Sequence, residues 1–243
     1  MSNKYRSWLG ELFGEDVDWQ EDPRHDTNIS RKTNVKYGLL QPYVEDKSCL
    51  DIGCAGGGSG FVTDDHWLHG WLSDQATRVV GIDVDEEGIE VAKEAGYDVH
   101  LQSAERFELS EEFEVVVAAN VIEHLASPGG MLESAHEHLV DGGRIVITTP
   151  RTHLPWNLLR QLKNEEGIEP HPEHTMWFCR QTLETILERK GFEVVEYRSW
   201  GFDRIGMSTA DRVWRTVERQ LSKIPQLEEI DDYQHFIVAE AVE

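Results

Sequence analysis

The sequence predicts an α/β fold in which helices cover both faces of a mostly parallel sheet. Short apolar runs alternate with segments of helical periodicity up to residue 149. The run Phe113–Ala119 is apolar almost throughout, which is typical of a strand buried on both faces. The first run leads into the glycine-rich stretch Gly53–Gly60, where the backbone of such a sheet can approach a ligand closely.

Seven strands are predicted, and turn or capping residues separate each from the next helix. In chain order they are Ser48–Gly53, Arg78–Asp83, Tyr97–Leu101, Phe113–Ala119, Arg144–Thr149, Phe192–Ser199 and His235–Val242. The segment from Gly56 to about Asp74 is expected to hold a turn and then a helix with Trp67, Leu68, Trp71 and Leu72 on one side. Further helices are predicted from Asp85 to Gly96, from Ser127 to Gly142, from Arg180 to Lys190, and onward from a capping box at Ser208. Pro128 suits the first position of its helix, and Gly142-Gly143 is expected to end it.

Two segments lie outside this alternation. Residues 1–47 are expected to form an N-terminal helical cap, with a short helix over Val35–Tyr43 and a break at Pro23. A loosely attached extension is an equal alternative for them. Residues 48–243 are then the main domain, within which residues 151–179 carry three prolines, two tryptophans and three histidines without clear periodicity. We expect that segment to be a lid over a substrate.

The chain is strongly acidic, with 46 acidic against 23 basic residues and a net charge of −23. Such a field disfavours nucleic acid and anionic membrane as partners. A solvated surface for solubility, a cationic partner and a high-salt cytoplasm each explain it, and the spread of acids along the whole chain favours the last. Without an apolar run of about 18 residues or a signal-like start, we expect a cytoplasmic protein with no membrane insertion.

Polar residues at the carboxyl ends of the first four strands are expected to meet in one crevice. They are Asp51 with Gly53, Asp83, Ser103 and Asn120. The carboxylate of Asp83 suits the two hydroxyls of a ribose. Dinucleotides and S-adenosylmethionine both fit this pattern, although the glycines do not complete the spacing of a dinucleotide site and no P-loop lysine follows.

Four stretches in family order over residues 48–150 make the chain similar to the class I S-adenosylmethionine-dependent methyltransferases. They are Leu50-Asp51-Ile52-Gly53-Cys54-Ala55-Gly56-Gly57, Val80-Gly81-Ile82-Asp83-Val84-Asp85, Ala119-Asn120-Val121-Ile122-Glu123-His124-Leu125, and residues 139–150. The resemblance implies a Rossmann-like, doubly wound seven-stranded sheet whose last strand is antiparallel, and S-adenosylmethionine as the cofactor.

The resemblance also implies roles for individual residues. Asp51, Gly53 and Gly57 would surround the methionine part, Asp83 would bind the ribose, Val84 would pack on the adenine, Ser103 and Ala104 would face the adenine edge, and Asn120 would line the methionine side. Two positions depart from the family pattern. Ala55 replaces a glycine, which a turn tolerates if its φ is negative, and Ser103 stands where an acid is common, so that Glu105 could substitute for it.

A sulfonium methyl is already electrophilic, so the enzyme mainly aligns a nucleophile and, for an oxygen, helps to remove its proton. His174, in the expected lid, is the first candidate base and His124 the second. The alternative for each is a histidine that fixes a loop through backbone hydrogen bonds. No metal site is expected, because His171, Glu173 and His174 are more typical of solvated lid residues.

The expected acceptor is a small, lipid-linked or glycan-linked hydroxyl compound. One concrete possibility is a hexuronic acid in a haloarchaeal surface-glycan precursor, whose carboxylate would meet lid arginines such as Arg151 and Arg160. A quinone precursor or another phenol is the alternative acceptor. A non-catalytic, cofactor-binding regulator is the alternative from another class.

Overall fold

A computed structural model describes residues 23–56, 64–151, 173–200 and 234–242, with isolated positions between these ranges. Several expectations lie outside the described residues. They concern residues 1–22 of the expected cap, Gly57, residues 152–172 of the expected lid with Trp156, Arg160 and His171, and the helix after Ser208.

The described chain forms seven strands and five α-helices. In order they are α1 (Pro23–Val44), β1 (Ser48–Ile52), α2 (Leu68–Gln75), β2 (Arg78–Asp83), α3 (Glu86–Glu94), β3 (Val99–Leu101), β4 (Phe113–Ala119), α4 (Pro128–Glu137), β5 (Leu139–Pro150), α5 (Arg180–Arg189), β6 (Phe192–Trp200) and β7 (Gln234–Ala241). A short 3₁₀ turn, Ile122–His124, follows β4. None of the described helices is long and apolar enough to cross a membrane.

The seven strands make one sheet in the order β3-β2-β1-β4-β5-β7-β6. Neighbours from β3 to β5 are parallel, and β7 runs antiparallel to both β5 and β6. The predicted Rossmann-like sheet with an antiparallel last strand is therefore confirmed. Because the chain leaves β1 toward β2 and later returns on its other side as β4, the strand order reverses between β1 and β4, which is where such sheets bind ligands.

Helices cover both faces of the sheet because the side chains on both faces of the central strands are apolar. Val116 and Ala118 of β4 pack on one face with Leu132 of α4 and Leu183 of α5. The other face is covered by α1 and α2. There Val115 and Val117 pack with Leu40, Val44 and Leu72, all of them buried. The last two turns of α1 thus lie against the sheet.

Two predicted helix boundaries were wrong. The short helix expected over Val35–Tyr43 runs instead from Pro23 to Val44, since proline is tolerated in a first turn. The helix α4 ends at Glu137, and Gly142-Gly143 falls inside β5, where the register against β4 shifts between Phe113 and Val115.

Candidate active site

Two loops meet at the point where the strand order reverses. Gly53 follows β1 with a φ of +82°, a conformation that favours glycine. A Cβ on Gly53 would lie 2.5 Å from Cγ2 of Val121, which follows β4. The backbone after β1 therefore contacts the β4 loop directly. In the described chain, the non-glycine residues with a positive φ are Asp46 and Asn120. Ala55 does not have a positive φ, so it fits the turn as expected.

The carboxylate of Asp83 lies at the end of β2 and is held by backbone N–H groups. Val84 and Asp85 donate to Oδ1, at 2.7 and 3.0 Å. Ala55 donates to Oδ2 at 2.9 Å, which ties the glycine-rich loop to β2. An ionised carboxylate has about four acceptor positions, so Oδ2 can still accept from a ligand hydroxyl. Beside it, the side chain of Val84 is 69% exposed and offers an apolar surface.

Asp51 lies in β1, just before the glycine-rich loop, and is 1% exposed. Its Oδ2 is 3.0 Å from Nδ1 of His69 on α2, which is also 1% exposed. The Asp51–His69 pair thus joins β1 to α2 in the core. Burial, together with the charges of Asp51 and Asp83, raises the pKa of the Cys54 thiol, which stays neutral.

Asn120 ends β4 with a φ of +60°, which asparagine tolerates better than most residues. Its backbone N–H donates to the carbonyl of Thr148, and its Oδ1 accepts from the Thr148 hydroxyl at 3.3 Å. Its Nδ2 donates to Gln234 Oε1 at 2.9 Å and to Glu123 Oε1 at 3.3 Å. The turn after β4 is therefore fastened to β5 and β7.

Glu123, His124 and His174 form a cluster at the same edge of the sheet. Their nearest oxygen and nitrogen atoms all lie within 4.8 Å of one another. The rings of His124 and His174 meet edge to face with centroids 4.7 Å apart. Glu123 is 1% exposed and accepts from the Thr149 hydroxyl at 2.9 Å through Oε2, whereas both histidines are half-buried. The cluster is thus anchored in the core and reaches the surface.

His174 is brought to this place by the segment that precedes α5. The N–H of Thr175 donates to the carbonyl of Glu123 at 2.9 Å, and its hydroxyl donates to the carbonyl of Leu125 at 2.6 Å. Trp177 packs edge to face on His174, with centroids 5.1 Å apart. This attachment joins two segments that are far apart in the sequence.

A family model described as a methyltransferase domain matches residues 29–197, well over half of the chain. The chain belongs to the S-adenosylmethionine-dependent methyltransferases.

Curated relatives of this methyltransferase include ubiquinone biosynthesis O-methyltransferases. The human mitochondrial protein is 30% identical over 203 residues, covering 72% of this chain and 53% of its own length. The protein of Pseudomonas entomophila is 28% identical over 135 residues, covering 52% of this chain and 53% of its own length. The chain thus spans about half the length of the curated relatives it matches.

Among solved structures, the methyltransferase is similar to the N-methyltransferase NodS of Bradyrhizobium japonicum in complex with S-adenosylhomocysteine. The TM-score is 0.53 at 17% identity, and the match covers 100% of both chains. At this identity the likeness concerns the fold.

S-adenosylmethionine is the cofactor of this family, and the residues of the methyltransferase fit it. A glycine at position 53 lets the loops after β1 and β4 lie close together at the point where such sheets bind ligands, because a Cβ there would meet Val121. Asp83 has an acceptor position next to the exposed side chain of Val84, which suits a ribose that carries an adenine. Ser103 and Ala104 follow β3, the neighbour of β2.

Glu105, the expected substitute for Ser103 at the adenine edge, forms hydrogen bonds with the backbone before α4. Its Oε1 accepts from the N–H groups of Ala126 at 2.7 Å and Ser127 at 3.1 Å, just before α4. Ser103 Oγ accepts from the N–H of Glu105 at 3.2 Å. Both side chains therefore help to shape the loop beside the expected adenine position.

Sequence reasoning missed two members of the site. Glu123 was not among the candidate site residues, although a carboxylate in the loop after a buried strand was a usable signal. His69 carried no signal, because its partner Asp51 is on another element and only the packing of α2 on β1 joins them. The structure brings His124 and His174 together, which their separation in the sequence did not indicate.

Proposed function

We propose that the protein methylates a hydroxyl group of a small acceptor, which binds at the cluster of Glu123, His124 and His174. The juxtaposition of these three side chains beside the cofactor crevice carries the proposal. Glu123 and His124 come soon after Val121, which contacts the loop of Gly53, and Thr175 attaches the segment of His174 to them. A hydroxyl bound there would lie on the methionine side of the crevice.

S-adenosylmethionine supplies an electrophilic methyl group when it is bound. The chain's own task is then to align the acceptor and to lower the cost of losing its proton. Asp51, Gly53 and Gly57 are assigned to the methionine part and Asp83 to the ribose. Val84, Ser103 and Ala104 are assigned to the adenine and Asn120 to the methionine side, and His174 and His124 activate the acceptor oxygen.

Two acceptor classes have support. The curated O-methyltransferase relatives favour a phenol related to quinone precursors. Arg151 favours a sugar acid such as a hexuronic acid, because it follows β5 and pairs with Phe178 close to the segment of His174. The net charge of −23 supports a high-salt cytoplasm as the setting and disfavours nucleic acid as the acceptor.

Calorimetric titration of S-adenosylmethionine and S-adenosylhomocysteine in molar KCl tests the cofactor assignment. We expect binding by the wild-type protein and a loss of at least tenfold in affinity for Asp83→Ala. Asp141→Ala removes an exposed carboxylate elsewhere and should bind like the wild type. Unchanged binding by folded Asp83→Ala would contradict the assignment.

Turnover with labelled S-adenosylmethionine then separates the acceptor classes. Phenols and hexuronic acids are offered in parallel, and the position of the methyl group is read by mass spectrometry. An O-methyl product supports the proposal. A protein that binds the cofactor but methylates none of these, or methylates nitrogen, would support the non-catalytic regulator or another acceptor chemistry.

A further inference from the structure

We infer that Glu123, His124 and His174 together bind one divalent first-row transition-metal ion, which holds the acceptor's hydroxyl. This inference deepens the proposed function. Only the role given to the bound hydroxyl rests on that function. The binding site itself follows from the geometry of the three side chains.

The three donors have the chemistry and spacing of a metal site. One carboxylate and two imidazoles suit zinc, manganese, iron and cobalt, whereas magnesium and calcium prefer oxygen ligands alone. Donors on one ion at about 2.1 Å lie no more than about 4.2 Å apart. The three ligand atoms here lie within 4.8 Å of one another, so small side-chain rotations bring them onto a common ion.

Neighbouring groups orient the carboxylate. Thr149 donates to Oε2 of Glu123 and Asn120 donates to Oε1. Asn120 is held in turn by Gln234 of β7. Such outer partners are typical of metal ligands, because they select the orientation in which the ligand meets the ion.

Burial explains why a cation is favourable. Glu123 is 1% exposed, and a buried carboxylate is costly unless a charge partner or a metal compensates it. The net charge of −23 adds an attractive field for cations around the whole protein.

The coordination shell has room for a substrate. Both histidines are half-buried, and three protein ligands leave coordination positions for exchangeable ligands. A hydroxyl bound to the ion has a lowered pKa and loses its proton to solvent more readily. His174 and His124 would then act as ligands rather than as bases, and the chain would have a metal site that the sequence did not lead us to expect.

Metal binding is tested directly, without turnover. Chelator-treated protein is titrated with Mn²⁺ and followed by electron paramagnetic resonance, and a parallel titration with Co²⁺ is followed by visible absorption. We expect one saturable site and, for Co²⁺, bands typical of nitrogen ligation. Glu123→Gln and His174→Gln should each weaken Mn²⁺ binding by at least tenfold, and Zn²⁺ should compete.

Matched controls carry the same substitutions outside the cluster. Glu133→Gln on α4 and His100→Gln on β3 should bind Mn²⁺ like the wild type. Circular dichroism and S-adenosylhomocysteine titration report on folding for every variant. If Glu123→Gln fails to fold, His124→Asn replaces it, because His124 is half-buried.

The outcomes separate the two claims. A wild-type protein that binds S-adenosylhomocysteine but no transition metal overturns the metal site and leaves the proposed function standing. Equal Mn²⁺ affinity in the wild type and in the folded cluster variants also overturns it. A protein that binds the metal through these residues but binds no cofactor retains the metal site and refutes the proposed function.

Discussion

Replacement of Gly53 by alanine tests the contact on which the cofactor crevice depends. The residue has a φ of +82°, and an added Cβ would lie 2.5 Å from Cγ2 of Val121. Non-bonded carbon atoms normally approach to about 3.5–4.0 Å. The substitution therefore combines backbone strain with a steric clash between the β1 and β4 loops.

The two costs can be estimated separately. A left-handed conformation costs a non-glycine residue about 1–2 kcal/mol. Overpacking against a held neighbour costs about 1–3 kcal/mol more. We expect Gly53→Ala to lower the free energy of unfolding by about 2–5 kcal/mol. Because the clash is relieved by moving the loops, the affinity for S-adenosylmethionine should fall at least tenfold.

Gly96 provides the matched control. Its φ is +92°, but an added Cβ would meet no atom within 4 Å, so Gly96→Ala carries only the backbone cost. Urea denaturation of both variants gives the difference between strain and clash. The double variant Gly53→Ala, Val121→Ala should recover the clash component, since only the Cβ of Val121, 3.8 Å away, would remain.

Equal destabilisation by Gly53→Ala and Gly96→Ala, with unchanged cofactor affinity, would refute this reasoning. It would mean that the two loops do not touch as described. A double variant that is no more stable than additivity predicts would place the clash elsewhere.

Two further predictions concern the core of the site and the surface. His69→Phe keeps the aromatic packing on Trp67 and Tyr97 but removes the partner of buried Asp51, so we expect it to lower the free energy of unfolding by about 3 kcal/mol. Urea denaturation measures this change. The variant His69→Asn should lose less stability, and an unchanged free energy of unfolding for His69→Phe would contradict the prediction. Raising KCl from 0.1 to 2 M should raise the Tm by on the order of 10 °C, because salt screens the repulsion implied by a net charge of −23. Scanning calorimetry measures this shift, and a Tm that stays constant or falls would argue against adaptation to high salt.

The sequence by itself determined the strands and their order along the chain. Runs such as Arg78–Asp83 and Phe113–Ala119 were found with their predicted ends, because an apolar run of strand length between turn residues has few other solutions. It also indicated the cofactor, because four stretches over residues 48–150 resemble the class I S-adenosylmethionine-dependent methyltransferases. Boundaries were less certain where glycine or proline allowed two structures, as at Pro23 and Gly142.

Only the tertiary structure decided which distant side chains meet. The contact of Gly53 with Val121 depends on β4 lying beside β1, and the pair of Asp51 and His69 depends on α2 packing over β1. The approach of Glu123 to His174 depends on backbone bonds between two separate loops. Sequence periodicity reports which face of an element is buried, but not which element covers it, so contacts between elements had to be read from the fold.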